Sequence, residues 1–379
     1  MIFILMIFTF LSLTTYYISR RLHRGMVSFF PEARIWISIT FVGILALFIV
    51  LSFVRPMLPF PQGVKQVLGV IGGYCMGVFL YLFIFTVLFN LLSLILSISK
   101  LAIARHRLFN GITAVLILFC TVATCIYGTL NAQRIDMVSY EISLDNKRDV
   151  SDLNIVLISD LHLGAVHSES RLNKIVEKVN SLKPDVICIA GDFFDTDFGS
   201  VQNPDEAIKT LKKLRSTYGT YACFGNHDGG STYNKMEDFL VQANIKLLKD
   251  EYTVIDNRMV LAGRMDSHPI GGYGKDGRKE VSEVLYGIEA DMPVVVMDHN
   301  PANINEYGKE ADVILCGHTH RGQLFPGSLI TNAIYDVDYG YYRKDKNSPH
   351  VVVTSGIGYW GIPMRVGTNC EVVKLSFSN

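Results

Sequence analysis

Four apolar runs dominate the first third of this 379-residue chain, at residues 2–18, 35–54, 68–98 and 108–130, and none contains an internal Asp, Glu, Lys or Arg. Hydrocarbon offers no partner to a backbone N–H or C=O, so such runs enter a bilayer as helices that bond internally. A crossing takes about 20 residues. Three runs reach that length, and the first lies near the lower limit. The third is too long for one straight span and must tilt or project beyond the hydrocarbon. The first run is not read as a cleaved signal, because no basic stretch precedes it and Ser19-Arg20-Arg21 follows it like a stop-transfer flank. Residues 1–130 therefore read as a transmembrane block of four helices.

Charge divides the chain at the same place. Residues 1–130 hold nine Lys/Arg and one acid, Glu32, while residues 131–379 hold 26 Lys/Arg against 34 Asp/Glu, a net charge of −8. Neither part has the basic surface of a nucleic-acid binder. Basic residues cluster after the first run (Arg20, Arg21, Arg24, Arg34) and after the third (Lys100, Arg105, Arg107), but only Arg55 and Lys65 follow the second. Positive loops stay cytoplasmic, so everything beyond residue 131 is expected on the extracytoplasmic face of a multi-pass membrane protein. The seven cysteines form no CxxC pair and lie mostly in apolar runs, as small buried hydrophobes do.

Residues 131–150 read as a linker with an edge strand, alternating over 138–144. Beyond it, short apolar runs alternate with helical patterns. Strands are expected at 154–159, 186–190, 221–224, 260–262, 294–297, 313–316, 351–354 and 372–375. Helices are expected at 171–182, 205–216, 233–243 and 302–307. This alternation predicts a layered α/β domain over 151–379, a β-sandwich flanked by helices. Five of the strands end directly in residues that bind metals: Asp160-Leu161-His162, Gly191-Asp192-Phe193-Phe194-Asp195, Gly225-Asn226-His227-Asp228, Asp298-His299-Asn300-Pro301 and Gly317-His318-Thr319-His320. Ligands bind at the carboxyl ends of strands in open α/β sheets, so the five clusters should converge. Each alone is ordinary, since Asp-x-His is common and Gly-Asp-x-x-Asp is often a capped turn. Together they take five of the chain's ten histidines.

This series resembles the calcineurin-like metallophosphoesterase superfamily over residues 152–375. The Asp298–Pro301 segment, the run Gly317-His318-Thr319-His320-Arg321-Gly322-Gln323-Leu324 and the closing Gly356, Pro363 and Arg365 are similar to its YkuE/YaeI-like membrane-associated branch. One departure is Arg321, where many relatives carry glycine. The resemblance implies a centre of two metal ions, Mn, Fe or Zn, which suits a ligand set of nitrogen and oxygen without thiolate. One ion would take Asp160, His162, Asp192 and His320, and the other Asp192, Asn226, His299 and His318, with Asp192 bridging. Such ions stand about 3.5–4 Å apart and hold a hydroxide that attacks phosphorus.

His227 is then the histidine left to act as general acid. Asp228 would orient it, and Asp195 would hold a ligand histidine or the backbone; a turn-stabilising role is the alternative for both. Arg321 is a candidate phosphate clamp or a surface cation. His167 reads as a loop histidine. Asp266-Ser267-His268-Pro269 with Gly271–Gly277 reads as a mobile loop over the site. Tyr335, Tyr339, Tyr341 and Tyr342 would pack, line a groove or meet a lipid interface. The expected activity is hydrolysis of a phosphate mono- or diester, with a phospholipid or cell-envelope intermediate as the membrane-borne candidate. The alternatives are a pyrophosphatase acting on a nucleotide-linked lipid and a non-catalytic membrane scaffold or sensor.

Overall fold

The structure, a computed structural model, describes residues 2–99, 107–144, 147–164 and 169–378. Lys100, Arg105 and His167 lie outside the described residues. The chain divides into two units. The first comprises Met1–Leu130 with Gly361–Met364, and the second Asn131–Trp360 with Arg365–Asn379.

The first unit is built on α1 (Ile2–Phe29), α2 (Ile35–Val54), α3 (Gln62–Ile98) and α4 (Arg107–Asn131). Among the described residues, three segments are long and apolar enough to cross a membrane: Ile35–Met57, Gln62–Ile98 and Arg107–Asn131. Their contacts bury Ile18, Val42, Ile49, Phe79, Leu82 and Ile117. Side chains such as Trp36, Phe53 and Phe119 stay exposed, which a lipid-facing surface requires. The charge-free reading of the helices needs correction. α1 continues past residue 18 and takes Arg20, Arg21 and Arg24 into the helix, where the sequence pattern had put a loop. Arg21 is buried, donating to Asn110 Oδ1 at 2.8 Å and to Thr113 Oγ1 on α4. These side-chain acceptors are what let a guanidinium sit inside a helical packing.

The second unit holds two mixed six-stranded sheets. One orders β1 (Ile135–Ser143), β12 (Cys370–Ser378), β2 (Asn154–Ile158), β3 (Val186–Ala190), β4 (Thr220–Cys223) and β5 (Lys246–Leu247). The other orders β10 (Gly340–Tyr342), β11 (His350–Val353), β9 (Val313–Cys316), β8 (Val294–Met297), β7 (Met259–Gly263) and β6 (Glu251–Ile255). β2, β3 and β4 run parallel, as do β7, β8 and β9. All six therefore deliver their carboxyl ends in the same sense within each sheet. β3, β8 and β9 are continuous apolar runs, buried throughout, the pattern of strands covered on both faces. Leu157, Cys188 and Val373 of the first sheet share one core with Leu261, Val295, Leu315 and Val352 of the second.

Helices α5 (Leu172–Ser181), α6 (Pro204–Leu211) and α7 (Tyr233–Gln242) pack on the other face of the first sheet. α5 buries Leu172, Ile175, Val176 and Val179, one helical face. α6 starts sharply, with Asn203 capping Glu206 N and Pro204 in the first turn. It stops at Leu211, short of the expected 216. Asn180 captures the following chain through Lys213 O and Arg215 N, at 2.7 and 2.8 Å, and draws it off the helix axis. Residues Pro301–Glu306 form a 3-10 helix. Two further helices, α8 (Val281–Val284) and α9 (Gly327–Ile334), complete the unit.

Candidate metal centre

The five strand ends converge. Asp160 and His162 follow β2, Asp192 and Asp195 follow β3, and Asn226 and His227 follow β4. His299 follows β8, and His318 and His320 follow β9. Several of these residues can face inward only through left-handed backbone: φ is 56° at Asp160, 49° at His162, 50° at Asp192, 72° at His318 and 49° at His320. Such conformations cost about 1–3 kcal/mol each and persist where the surroundings over-determine them. Here Asp160 N donates to Gly191 O (3.0 Å), His162 N to Asp192 O (3.1 Å), and His318 N to Asp160 Oδ1 (3.1 Å). Two glycines are sterically required. A Cβ on Gly225 would lie 2.4 Å from Asp192 N, and one on Gly317 would lie 2.5 Å from Asp160 Oδ2.

Among the described residues three groups of donor atoms result: Asp160/His162/His320, Asp192/His299/His318 and His162/Asp195/His227. In the first, His320 Nε2 lies 3.4 Å from Asp160 Oδ1 and 3.1 Å from His162 Nε2. In the second, His299 Nε2 lies 3.2 Å from Asp192 Oδ2, and His318 Nδ1 lies 2.8 Å from Asn226 Oδ1. Asp192 Oδ2 also stands 3.7 Å from His162 Nε2, so one oxygen reaches toward the first group as well. His299 Nδ1 donates to Ala190 O at 2.8 Å, fixing the ring so that Nε2 faces the carboxylate.

The residues fit a bound cation. Asp160, His162, Asp192 and His299 are almost fully buried, and His299 Nε2 has no hydrogen-bond partner. Buried polar atoms are ordinarily satisfied, and nitrogen and oxygen donors crowded together with so few partners suit a metal ion. Burial pushes His162 down to about 3 and His318 down to about 4, and it takes His320 well below the ordinary histidine value, helped by Arg365. These imidazoles are thus neutral, the form that ligates. Burial and the neighbouring Asp192 charge raise Asp160 to about 6, although His299 opposes them. Burial alone would raise Asp192 and lower His299, but their mutual contact overrides it, holding Asp192 well below and His299 well above the usual values.

Three side chains depart from expectation or were not foreseen. Asp228 does not orient His227. Its carboxylate is spent on backbone, accepting from Phe193 N (3.1 Å), Phe194 N (2.8 Å) and Gly225 N (2.8 Å), so it ties the β3 and β4 loops together. Burial and Asp192 push it up to about 8 against the pull of those donors. The partner of His227 Nδ1 is Thr196 Oγ1 at 2.6 Å, a contact with no sequence signal. Arg365 is fully buried behind the site, donating to the carbonyls of His320, Ser355 and Gly358. Asp195 Oδ1 lies 3.8 Å from His162 Nδ1, and Asp195 also groups with His162 and His227. Arg321 is exposed and stacks on the Tyr339 ring, 4.2 Å from its centroid. Nor is the glycine-rich segment loose over the site, because Ile270 N binds Asn226 O (2.8 Å) and buried Tyr273 donates to Gly225 O (2.7 Å).

A fold with two facing mixed sheets and a His/Asp/Asn centre at its strand ends defines a metal-dependent phosphoesterase. The calcineurin-like phosphoesterase model matches residues 153–322. The chain is 30% identical over 324 residues to the zebrafish "Transmembrane protein with metallophosphoesterase domain", covering 79% of this chain and 71% of that one. It is 30% identical over 264 residues to an "Uncharacterized metallophosphoesterase" of Aquifex aeolicus (68% and 97%), and 27% identical over 237 residues to YkuE of Bacillus subtilis (59% and 79%). The chain belongs to the calcineurin-like metallophosphoesterase family. Among its described residues the chain also carries helices long and apolar enough to span a membrane.

Proposed function

We propose that this protein hydrolyses a phosphate mono- or diester carried by a lipid or cell-envelope intermediate, using two metal ions. The observation that carries this reading is Asp192 Oδ2, 3.2 Å from His299 Nε2 and 3.7 Å from His162 Nε2, where a bridging carboxylate is needed. Asp160, His162, Asp192 and His320 would hold one ion, and Asp192, Asn226, His299 and His318 the other. When bound, such ions neutralise phosphoryl charge and bring the pKa of water from 15.7 toward about 7. The remaining work falls to the protein. His227 holds its Nδ1 against Thr196 and so presents Nε2 to the leaving oxygen as proton donor. Its backbone N–H donates to Asp192 Oδ1 at 2.8 Å, which couples the acid to the bridge. Asp195 fixes the His162 ring, and Arg321 offers its guanidinium to a flanking phosphate.

The membrane-borne substrate is supported by the spanning helices on the same chain. In this reading α1 is a fourth span and the catalytic unit faces the extracytoplasmic side. Metal analysis of the purified full chain should return two ions per chain, with activity lost to EDTA and restored by Mn²⁺, Zn²⁺ or Fe. Trace metal with EDTA-resistant activity would overturn the reading. A reporter that works only after export, fused behind Asn379, should be active. A dark export reporter beside an active cytoplasmic one would invert the topology.

A further inference from the structure

Helix α9 is turned inside out. Leu329, Ile330 and Ile334 are 63%, 59% and 68% exposed, Phe325 just ahead of the helix is 50% exposed, and no residue of the helix is buried. Two of its polar side chains bond back to the protein instead. Thr331 Oγ1 donates to Asp338 Oδ2 at 2.7 Å, and Asn332 Nδ2 reaches Asp338 Oδ1 at 3.5 Å, with Asp338 itself buried. A water-facing helix shows the reverse pattern. A contiguous exposed apolar patch marks an interaction surface.

The patch is wired to the metal centre. Thr319, between His318 and His320, donates to Asp338 O at 2.6 Å. Gln323, three residues beyond His320, pairs its side-chain amide with both Trp360 N and Trp360 O, at 2.9 Å each. Trp360 is 51% exposed, and its ring centroid lies 5.7 Å from that of His227.

The chain itself indicates what covers this face. It enters the catalytic unit at Asn131, the last residue of α4, one of the helices able to cross a bilayer. Asn131 Nδ2 donates to Arg365 O (3.2 Å) and Thr368 O (2.9 Å). Val366, inside that stretch, accepts from Phe325 N at 2.7 Å and donates to Gln323 O at 3.1 Å. A single intervening segment, residues 365–368, therefore joins the root of α9 to the end of α4, one of the helices able to cross a bilayer. Tryptophan is favoured at the membrane–water boundary.

We propose that α9, with Phe325 and Trp360, docks into the surface of the lipid bilayer and holds the metal centre at headgroup level. The unit's net charge of −8 makes this an apolar attachment, insensitive to salt. Its consequence for substrate choice rests on the proposed lipid phosphoesterase activity, but the docking itself does not.

The test uses the full chain in phosphatidylcholine–phosphatidylglycerol vesicles carrying doxyl-labelled phosphatidylcholine. An environment-sensitive fluorescent amino acid is placed at position 330 or, as control, at position 241, where Val241 is 66% exposed on α7. Quenching at 330 but not at 241, unchanged at high salt, is expected. Equal signals at the two positions overturn the proposal. So does shielding at 330 that grows with protein density, which would make a second copy the occupant. The double variant Leu329→Gln/Ile334→Gln should lower turnover of a vesicle-embedded phosphate ester about tenfold, since each side chain loses its burial in lipid. Its turnover of a soluble ester should not change. Wild-type chain inactive on every ester would sink the proposed activity, while the quenching result would still decide the docking.

Discussion

Two of the buried polar clusters in the catalytic unit differ in one respect. Beside the ends of β7 and β8, Asp250 accepts from Arg264 Nε (2.6 Å) and Lys279 N (2.9 Å), and Asp298 accepts from Arg278 (2.6 Å), Tyr307 (2.6 Å) and Asn303 (3.0 Å). Each carboxylate there faces a guanidinium, so the charges close on one another. At the metal centre the carboxylates face imidazoles: burial keeps His162 and His318 neutral, while Asp192 and His299 pair closely at 3.2 Å. A closed cluster needs nothing further and contributes structure. An open one has the donor set that suits a cation. Asp298 and His299 are adjacent in sequence and fall on opposite sides of this division, so residue type and proximity alone do not separate the roles; satisfaction of the polar atoms does.

The sharpest way to break the comparison is at His227. Proton transfer of this kind contributes about 10²–10⁴-fold. His227→Ala should lose turnover in that range while keeping its full metal content, measured on the same sample. The loss should shrink for an ester with a strongly acidic leaving group, which departs without a proton. An equal loss on that ester would remove His227 from the role of acid.

The closed cluster should respond in stability instead. Arg264 and Asp250 are each about 1% exposed, and breaking a buried pair by removing one partner costs about 3–5 kcal/mol. Asp250→Ala should therefore lower the unfolding free energy of the catalytic unit by that amount, read as an earlier denaturation midpoint. The surviving folded molecules should keep wild-type metal content and turnover. Loss of metal in step with loss of stability would show that the two clusters are not independent.

The same distinction governs what was legible in the sequence. The bounds 186–190, 294–297 and 313–316 agree with β3, β8 and β9, because runs such as Val-Ile-Cys-Ile-Ala are buried on both faces and carry no competing signal. β5, β6 and β10 escaped notice. They are short or half-exposed strands at or near sheet edges, and their pairing comes from neighbours rather than from their own pattern. The residues brought together at the strand ends were visible because motif and strand end coincide. Thr196 was not, because its bond to His227 spans 31 residues. The role of Asp228 was misread for a related reason: adjacency to His227 suggested contact, whereas the turn points its carboxylate at the β3 loop. α9 itself was not expected, and its apolar outer face shows only once Asp338 is seen to hold Thr331.

The smallest expected effect lies at Arg321, on the rim of the open cluster. Its guanidinium is exposed and rests on the Tyr339 ring, while Tyr339 is held from below by Glu371 (2.9 Å). That stacking orders the planar donors without using them, which suits a group waiting for phosphate oxygens, and lysine would not reproduce it. Because the position is wet, the interaction should be weaker than a buried one. Arg321→Gly relieves a φ of 49° that glycine adopts freely, so fold and metal content should survive. A charge-assisted hydrogen bond is worth about 1.5–3 kcal/mol before solvent screening, and screening brings the expected rise in KM for a lipid phosphate to about tenfold or less. The kcat on a small soluble ester should stay within about twofold, because that substrate offers no second phosphate to hold. Equal losses on both substrates would move Arg321 into the reaction itself, and no loss on either would leave it a surface cation stacked on a tyrosine.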